Sequence, residues 1–340
     1  MHRHDVAFGM TELQDAAALV GRVLPPTPQY PWPKLGKRAG CRVWVKHENH
    51  TPTGAFKVRG GLVYLDRLRH TDPKTRGVIS ATRGNHGQSI AFAAARTGVA
   101  ATIYVPHQNS PDQNSAIAGF GARVVEFGKD FDEARHEAFR MAAAEGLHFV
   151  PSYHCALVTG VATYALELFR AVEHLDAVYV GVGMGSGISG LIRVRDLLGV
   201  KTEIIGVGAA CAPATALSFA ARRPVNAATA LTFADGLATR EPHPEAIATI
   251  CRGASRMVEV TEDEIAESMR IYFDDTHQIA EGAGAAPLAA LLQERGGMKN
   301  KNVAVVLSGG NIERTRFLQV LSGATPSVFL QGDDGDKHRV

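Results

Sequence analysis

The sequence predicts an α/β protein built on mostly parallel sheets. Three observations carry that expectation. Short apolar or β-branched runs alternate with Ala-rich stretches of helical periodicity along the 340 residues. The runs are apolar at successive positions instead of every second one, the habit of strands buried on both faces. Several run straight into Gly- or Asn-bearing turns that open helices, as parallel strand–helix units require.

Taken in order, Val43, Trp44 and Val45 form the first strand-like run. Residues 77–81 read as a strand and 88–97 as a helix stopped at Gly98. A strand at 101–105, a short helix after Pro111 and a strand at 123–127 follow. A long helix is expected over 131–145, ended by Gly146, then a helix near 157–173 and a strand at 177–182. Residues 203–207 and 303–307 are further continuous apolar strands. No repeat of solenoid period and no Gly/Ser-rich linker interrupts this order. Residues 326 to 340, polar and charged over the last ten, are expected to form a loose tail.

Composition excludes several classes. Hydrophobic residues make up 45% and charged residues 21%, and the formal net charge is +2 without a basic run. Nucleic acid and acidic membrane surfaces are therefore not expected partners. No secretory signal is visible at the N-terminus and no apolar run reaches bilayer length, so a cytoplasmic protein is expected. Cys41, Cys155, Cys211 and Cys251 lie far apart, which predicts reduced, mostly buried thiols and neither a disulfide framework nor a zinc site.

Four motifs carry chemistry. In the segment 51–61, Lys57 stands between Phe56 and Val58 just past a Pro/Gly turn, at the expected mouth of a helix. Loss of ammonium hydration there lowers its pKa and makes the nucleophilic neutral amine accessible. Gly183-Met184-Gly185-Ser186-Gly187, between a strand and a helix, lets backbone N–H groups and the Ser186 hydroxyl converge on an anion such as a phosphate monoester. Thr82-Arg83-Gly84-Asn85-His86-Gly87 sits at another helix start, where N–H groups, Thr82 and Asn85 suit a carboxylate; Asn85 as an ordinary N-cap is the competing reading. Ser308-Gly309-Gly310-Asn311 closes the last core strand. Asp235 in 232–238 and Glu281 in 281–285 are open to two readings, site carboxylates or structural acceptors.

In order and spacing, these motifs resemble the threonine/serine dehydratase (ammonia-lyase) family of fold-type II pyridoxal-phosphate enzymes, from about Pro26 to Asn311. The resemblance implies two open, mostly parallel twisted sheets flanked by helices, as in the tryptophan synthase β-like fold, with the active site in the cleft between them. It implies a large cofactor-binding domain from 1–76 and 155–325 and a small substrate-closing domain at 77–154. An extra regulatory domain is not expected after the last core strand. Lys57 would carry pyridoxal 5′-phosphate, with Phe56 beside it, residues 183–187 on the phosphate, Asn85 on the ring oxygen and Ser308 against the pyridine nitrogen. Residues Thr82, Arg83, Gly84, Asn85 and His86 would bind the substrate carboxylate, His86 in a structural role. Homodimers are the family habit.

The implied activity is β-elimination from a β-hydroxy amino acid, L-threonine first and L-serine second, to a 2-oxo acid and ammonia. Three departures matter. Met184 and Ser186 break the family's usual glycine run but keep the loop's character. Arg83 replaces a small residue, often the serine that racemases use, which argues against racemisation and admits a substrate with a second carboxylate, such as threo-3-hydroxyaspartate. Gly208 stands where some relatives have a metal-binding glutamate, so that metal site is expected to be absent or altered. Phenylserine as substrate, a β-replacement synthase and a non-enzymatic cofactor carrier are the remaining alternatives.

Overall fold

The computed structural model describes residues 8–327; the tail expected at 326–340 lies outside them from residue 328 onward. Ten strands occur among the described residues. They are β1 (Gln29–Pro31), β2 (Arg42–His47), β3 (Gly77–Ala81), β4 (Ala100–Val105) and β5 (Arg123–Glu126), then β6 (His148–Phe149), β7 (Ala177–Gly181), β8 (Glu203–Ala209), β9 (Arg256–Val260) and β10 (Asn302–Leu307). The helices begin with α1 (Met10–Gly21), α2 (Pro33–Ala39), α3 (Lys57–Thr71), α4 (Asn85–Thr97), α5 (Pro111–Gly119) and α6 (Phe131–Glu145). They continue with α7 (Cys155–Ala171), α8 (Ser186–Leu198), α9 (Ala214–Ala221) and α10 (Pro244–Gly253), then α11 (Glu262–Thr276), α12 (Gly282–Gln293) and α13 (Arg314–Leu321).

The strands form two sheets. Six join in the order β1-β2-β10-β7-β8-β9 and four in the order β5-β4-β3-β6. Every pair is parallel except β1 against β2. The apolar run of β10 explains its central place. Val303, Val305 and Leu307 enter one buried cluster while Ala304 and Val306 enter the other, so both faces are covered. In the smaller sheet Val78, Ile103 and Val105 pack on α1, α3 and α4, and Ile79, Ala81 and Tyr104 pack on α6.

Helix ends follow local chemistry. Ser110 and Asp130 accept from Gln113 N and Glu133 N and start α5 and α6. Gly98 and Gly146 stop α4 and α6 where the sequence marks them. The expected helix at 88–97 starts earlier, at Asn85, and the one near 157–173 is shifted to 155–171. The short edge strand β1 and the two-residue β6 carry no pattern that marks them in advance.

Helix α3 is the pillar between the sheets. A Cβ at Gly160 would come within 2.3 Å of Arg59 O, so α7 and α3 touch backbone to backbone. Arg59, buried on α3, is held by Glu48 at 2.7 Å and Glu167 at 2.6 Å, and Lys46 meets the same Glu167 at 2.6 Å. These pairs fix the rotation and height of α3, hence where Lys57 emerges.

None of the four cysteines is in a disulfide, but only Cys41 is buried; Cys155 and Cys251 are partly exposed and Cys211 is exposed. The expectation of mostly buried thiols is corrected accordingly: Cys211 falls in the open turn after β8. Among the described residues no helix is long and apolar enough to cross a membrane.

Candidate active site

The first and fourth motifs are laced together. Phe56 N donates to Ser308 O at 3.0 Å, Gly310 N donates to Gly54 O at 2.9 Å, and Ala55 bridges Gly309. Lys57 is therefore the first residue of α3 with its side chain beside the end of β10. Ser89 Oγ of α4 donates to Lys57 O at 2.6 Å and ties the same point to the smaller sheet. The Lys57 ammonium lies 5.3 Å from the Phe56 ring centroid. Desolvation lowers its pKa to about 8, opposed by the attraction of Glu281.

Residues 183–187 cross from β7 to α8 over Phe56. Gly185 has φ +92°, and a Cβ at Gly183 would fall 2.1 Å from Gly236 O, so neither position admits a side chain without moving the backbone. Tyr164 Oη donates to Gly187 O at 3.0 Å from below. Ser186 Oγ is buried without a hydrogen-bond partner. An unpaired buried hydroxyl at a helix N-terminus, in a glycine cradle, fits a phosphate monoester.

The turn after β3 differs in detail from expectation. Thr82 Oγ1 accepts from Gly84 N at 2.9 Å and Gly87 N at 3.1 Å, so its oxygen shapes the turn and its hydrogen remains for a ligand. Asn85 is not an N-cap: Gly84 holds that place, and the Asn85 amide turns into the cleft. There its Nδ2 donates to Glu281 Oε1 at 2.8 Å and Oε2 at 3.0 Å, and its Oδ1 accepts from Asn311 Nδ2 at 2.8 Å. His86 is buried against Ser80 Oγ at 3.1 Å; burial and Lys57 push its pKa down to about 3, so it stays neutral.

Arg83 stands at the rim, exposed, with Nε 3.6 Å from Asp235 Oδ1; Arg316 Nη1 lies 3.5 Å from Asp235 Oδ2. Asp235 is thus held between two guanidinium groups. Glu281, by contrast, is a buried site carboxylate whose pKa burial raises to about 7, against hydrogen bonds from Asn85 and Asn311. Sequence reasoning left the roles of Glu281 and Asn311 open and missed Arg316. The Asn311 signal was present in its motif; Arg316, on a helix after the last core strand, had none.

One cavity of about 950 Å³ between the two sheets collects Lys57, Ser186, Asn85, Ser308, Arg83 and Glu281. An activated amine, an anion cradle and a carboxylate-sized turn around one cleft define an enzyme site for an anionic aldehyde cofactor and a small amino acid. The chain belongs to the pyridoxal-phosphate dependent enzyme family, whose model matches residues 22–309. It is 34% identical over 280 residues to the L-threonine ammonia-lyase of Geobacter sulfurreducens, covering 82% of this chain and 69% of that one. It is 28% identical to the L-threo-3-hydroxyaspartate ammonia-lyase of Saccharomyces cerevisiae, over 92% of this chain and 96% of that one. The chain spans 56% of the biosynthetic L-threonine dehydratase of Haemophilus influenzae, to which it is 31% identical over 84% of its own length. Among solved structures, processed threonine deaminase isoform 2 from Solanum lycopersicum superposes with a TM-score of 0.84 at 28% identity, over 94% of this chain and 95% of that one. The expected α/β fold of type II and its cofactor, pyridoxal phosphate, are thereby established.

Proposed function

We propose that this enzyme eliminates water from a β-hydroxy amino acid, L-threonine in the first place and L-serine in the second, giving a 2-oxo acid and ammonia. The observation that carries the reading is Lys57, its pKa lowered to about 8, in the same cleft as the Ser186 cradle and the turn at 82–86. The names of the Geobacter and tomato relatives favour threonine.

Lys57 would hold the cofactor aldehyde, residues 183–187 its phosphate, Asn85 its ring oxygen and Ser308 its ring nitrogen, with Phe56 and Met184 lining the site. When bound, the cofactor supplies an electron sink conjugated to the substrate nitrogen, which acidifies the α-hydrogen. The Thr82 hydroxyl hydrogen and the free N–H groups at the start of α4 hold the substrate carboxylate and orient that hydrogen. Lys57 Nζ, with a substantial neutral fraction near pH 8, takes the α-proton and then returns a proton to the departing β-hydroxyl. Water leaves, and water from solvent hydrolyses the released enamine through its imine, so that the nitrogen departs as ammonium. A neutral Ser308 hydroxyl at the ring nitrogen would keep the sink moderate and favour prompt elimination.

A second reading has its own support. Arg83 and Arg316 flank Asp235 at the cleft mouth, and a substrate's second carboxylate would find two guanidinium groups there. The yeast relative is named for L-threo-3-hydroxyaspartate. Comparing kcat/KM for threonine, serine, threo-3-hydroxyaspartate and phenylserine, scored by 2-oxo acid, decides between them. Threonine is expected to lead; 2-oxo acid from none of the four would sink the proposal. The second reading requires Arg83→Ala to lower kcat/KM for hydroxyaspartate selectively, and equal turnover in that variant removes it. We also propose a homodimer acting in the cytoplasm, with residues 77–154 as the closing unit against 1–76 and 155–325. Sedimentation showing a monomer at working concentration would reject the dimer.

A further inference from the structure

The amide orientations around Asn85 follow from one another without any choice. Asn311 Nδ2 donates to Thr53 O at 2.7 Å, so its nitrogen end must face that way. The same nitrogen donates to Asn85 Oδ1 at 2.8 Å, which spends both its hydrogens and turns Asn85 Nδ2 the other way. Asn85 Nδ2 meets both oxygens of Glu281, at 2.8 and 3.0 Å. The two oxygens of one carboxylate subtend far less than the ~120° between two amide N–H bonds, so a single hydrogen is shared between them. The second Nδ2 hydrogen has no acceptor assigned in this network.

Glu281 is itself held. It is the residue before α12, and its Oε2 accepts from Asn311 N at 3.2 Å. Lys57 and Asp235 are the charged groups that act on it, the first favouring its ionised form and the second opposing it.

We propose that Glu281 is a positioning residue for the cofactor: by holding one Nδ2 hydrogen of Asn85 it presents the other to the ring oxygen of pyridoxal phosphate, and its carboxylate supports the positive charge at Lys57. The inference rests on the contact between Asn85 and the cofactor proposed above. It assigns to a buried carboxylate a task that neither packing of α12 nor binding of substrate requires.

The test uses full-length protein in four forms: wild type, Glu281→Gln, Asn85→Ala and the double variant. Apoprotein is titrated with pyridoxal phosphate by equilibrium dialysis, and the visible absorbance of each holoenzyme is followed against pH. Glu281→Gln is expected to weaken cofactor affinity about tenfold or more, because a charge-assisted acceptor is lost. Its absorbance midpoint is expected to fall by roughly one pH unit or more, because an opposite charge beside Lys57 is gone. In the Asn85→Ala background most of the affinity loss should vanish, since Glu281 reaches the ring oxygen through Asn85, while the fall in the midpoint should persist. An equal loss in both backgrounds would mark a merely structural role and overturn the proposal. If Asn85→Ala weakens binding while Glu281→Gln leaves affinity and midpoint unchanged, Glu281 is excluded and the Asn85 contact stands. Neither variant having an effect would remove the Asn85 contact, and the inference with it. Should Glu281→Gln not fold, Glu281→Asp replaces it: the carboxylate drawn back from Asn85 is expected to lower affinity, and unchanged affinity counts against the proposal.

Discussion

Lys57 and Glu281 are displaced toward each other on the pH axis, the amine down to about 8 and the carboxyl up to about 7, both chiefly by burial. Two groups displaced toward neutrality in one cleft mark a functional site. The Glu281 shift also makes a stability statement. Its folded-state pKa lies above the ordinary 4.5, so the folded apoprotein binds that proton more tightly than the unfolded chain. The resulting stability is present below pH 4.5 and is lost as pH climbs through about 7, roughly 3 kcal/mol at most. Urea denaturation of the apoproteins should therefore show Glu281→Gln gaining on wild type between these limits. A pH-independent difference between the two would contradict the assignment.

At the scale of elements, α3 owes its position to the buried pairs of Arg59 with Glu48 and Glu167. Arg59→Ala would leave Glu48 buried beside Lys46 at 3.9 Å, too far to replace the lost hydrogen bonds. A loss of about 3–5 kcal/mol is expected on urea unfolding, and a loss under 1 kcal/mol would show that the cluster is dispensable. The elements that the sequence revealed are those with a local cause: β10 by its continuous apolar run, α6 by its helical stretch ended at Gly146. Those it concealed have tertiary causes. β6 is two residues recruited by β3, and α4 starts at Asn85 because Thr82, in the turn after β3, accepts from Gly84 N and Gly87 N. The site was legible in the same proportion. Lys57, the 183–187 loop and Ser308 announce themselves by local motif, whereas the Asn85–Glu281–Asn311 network joins three distant segments and is decided only when the sheets meet.

At the scale of the whole molecule, the two sheets form the walls of the cleft, and ion pairs cross its mouth. Arg135 meets Glu241 at 2.9 Å and Arg240 meets Asp132 at 2.8 Å, joining the start of α6 to the segment before α10. Partly exposed pairs of this kind contribute at most about 1 kcal/mol each and are screened at high salt. Hydrogen exchange of residues 130–135 and 240–241 is expected to quicken in concentrated sodium chloride; protection indifferent to salt would show that these pairs do not hold the two segments together.

Four segments distant in sequence converge on a single amine, and that convergence is the central claim. Borohydride reduction of the holoenzyme followed by peptide mapping tests it most directly. The pyridoxyl group is expected on the peptide containing Lys57, at one group per chain. Its recovery on another lysine, or on none, would contradict the account.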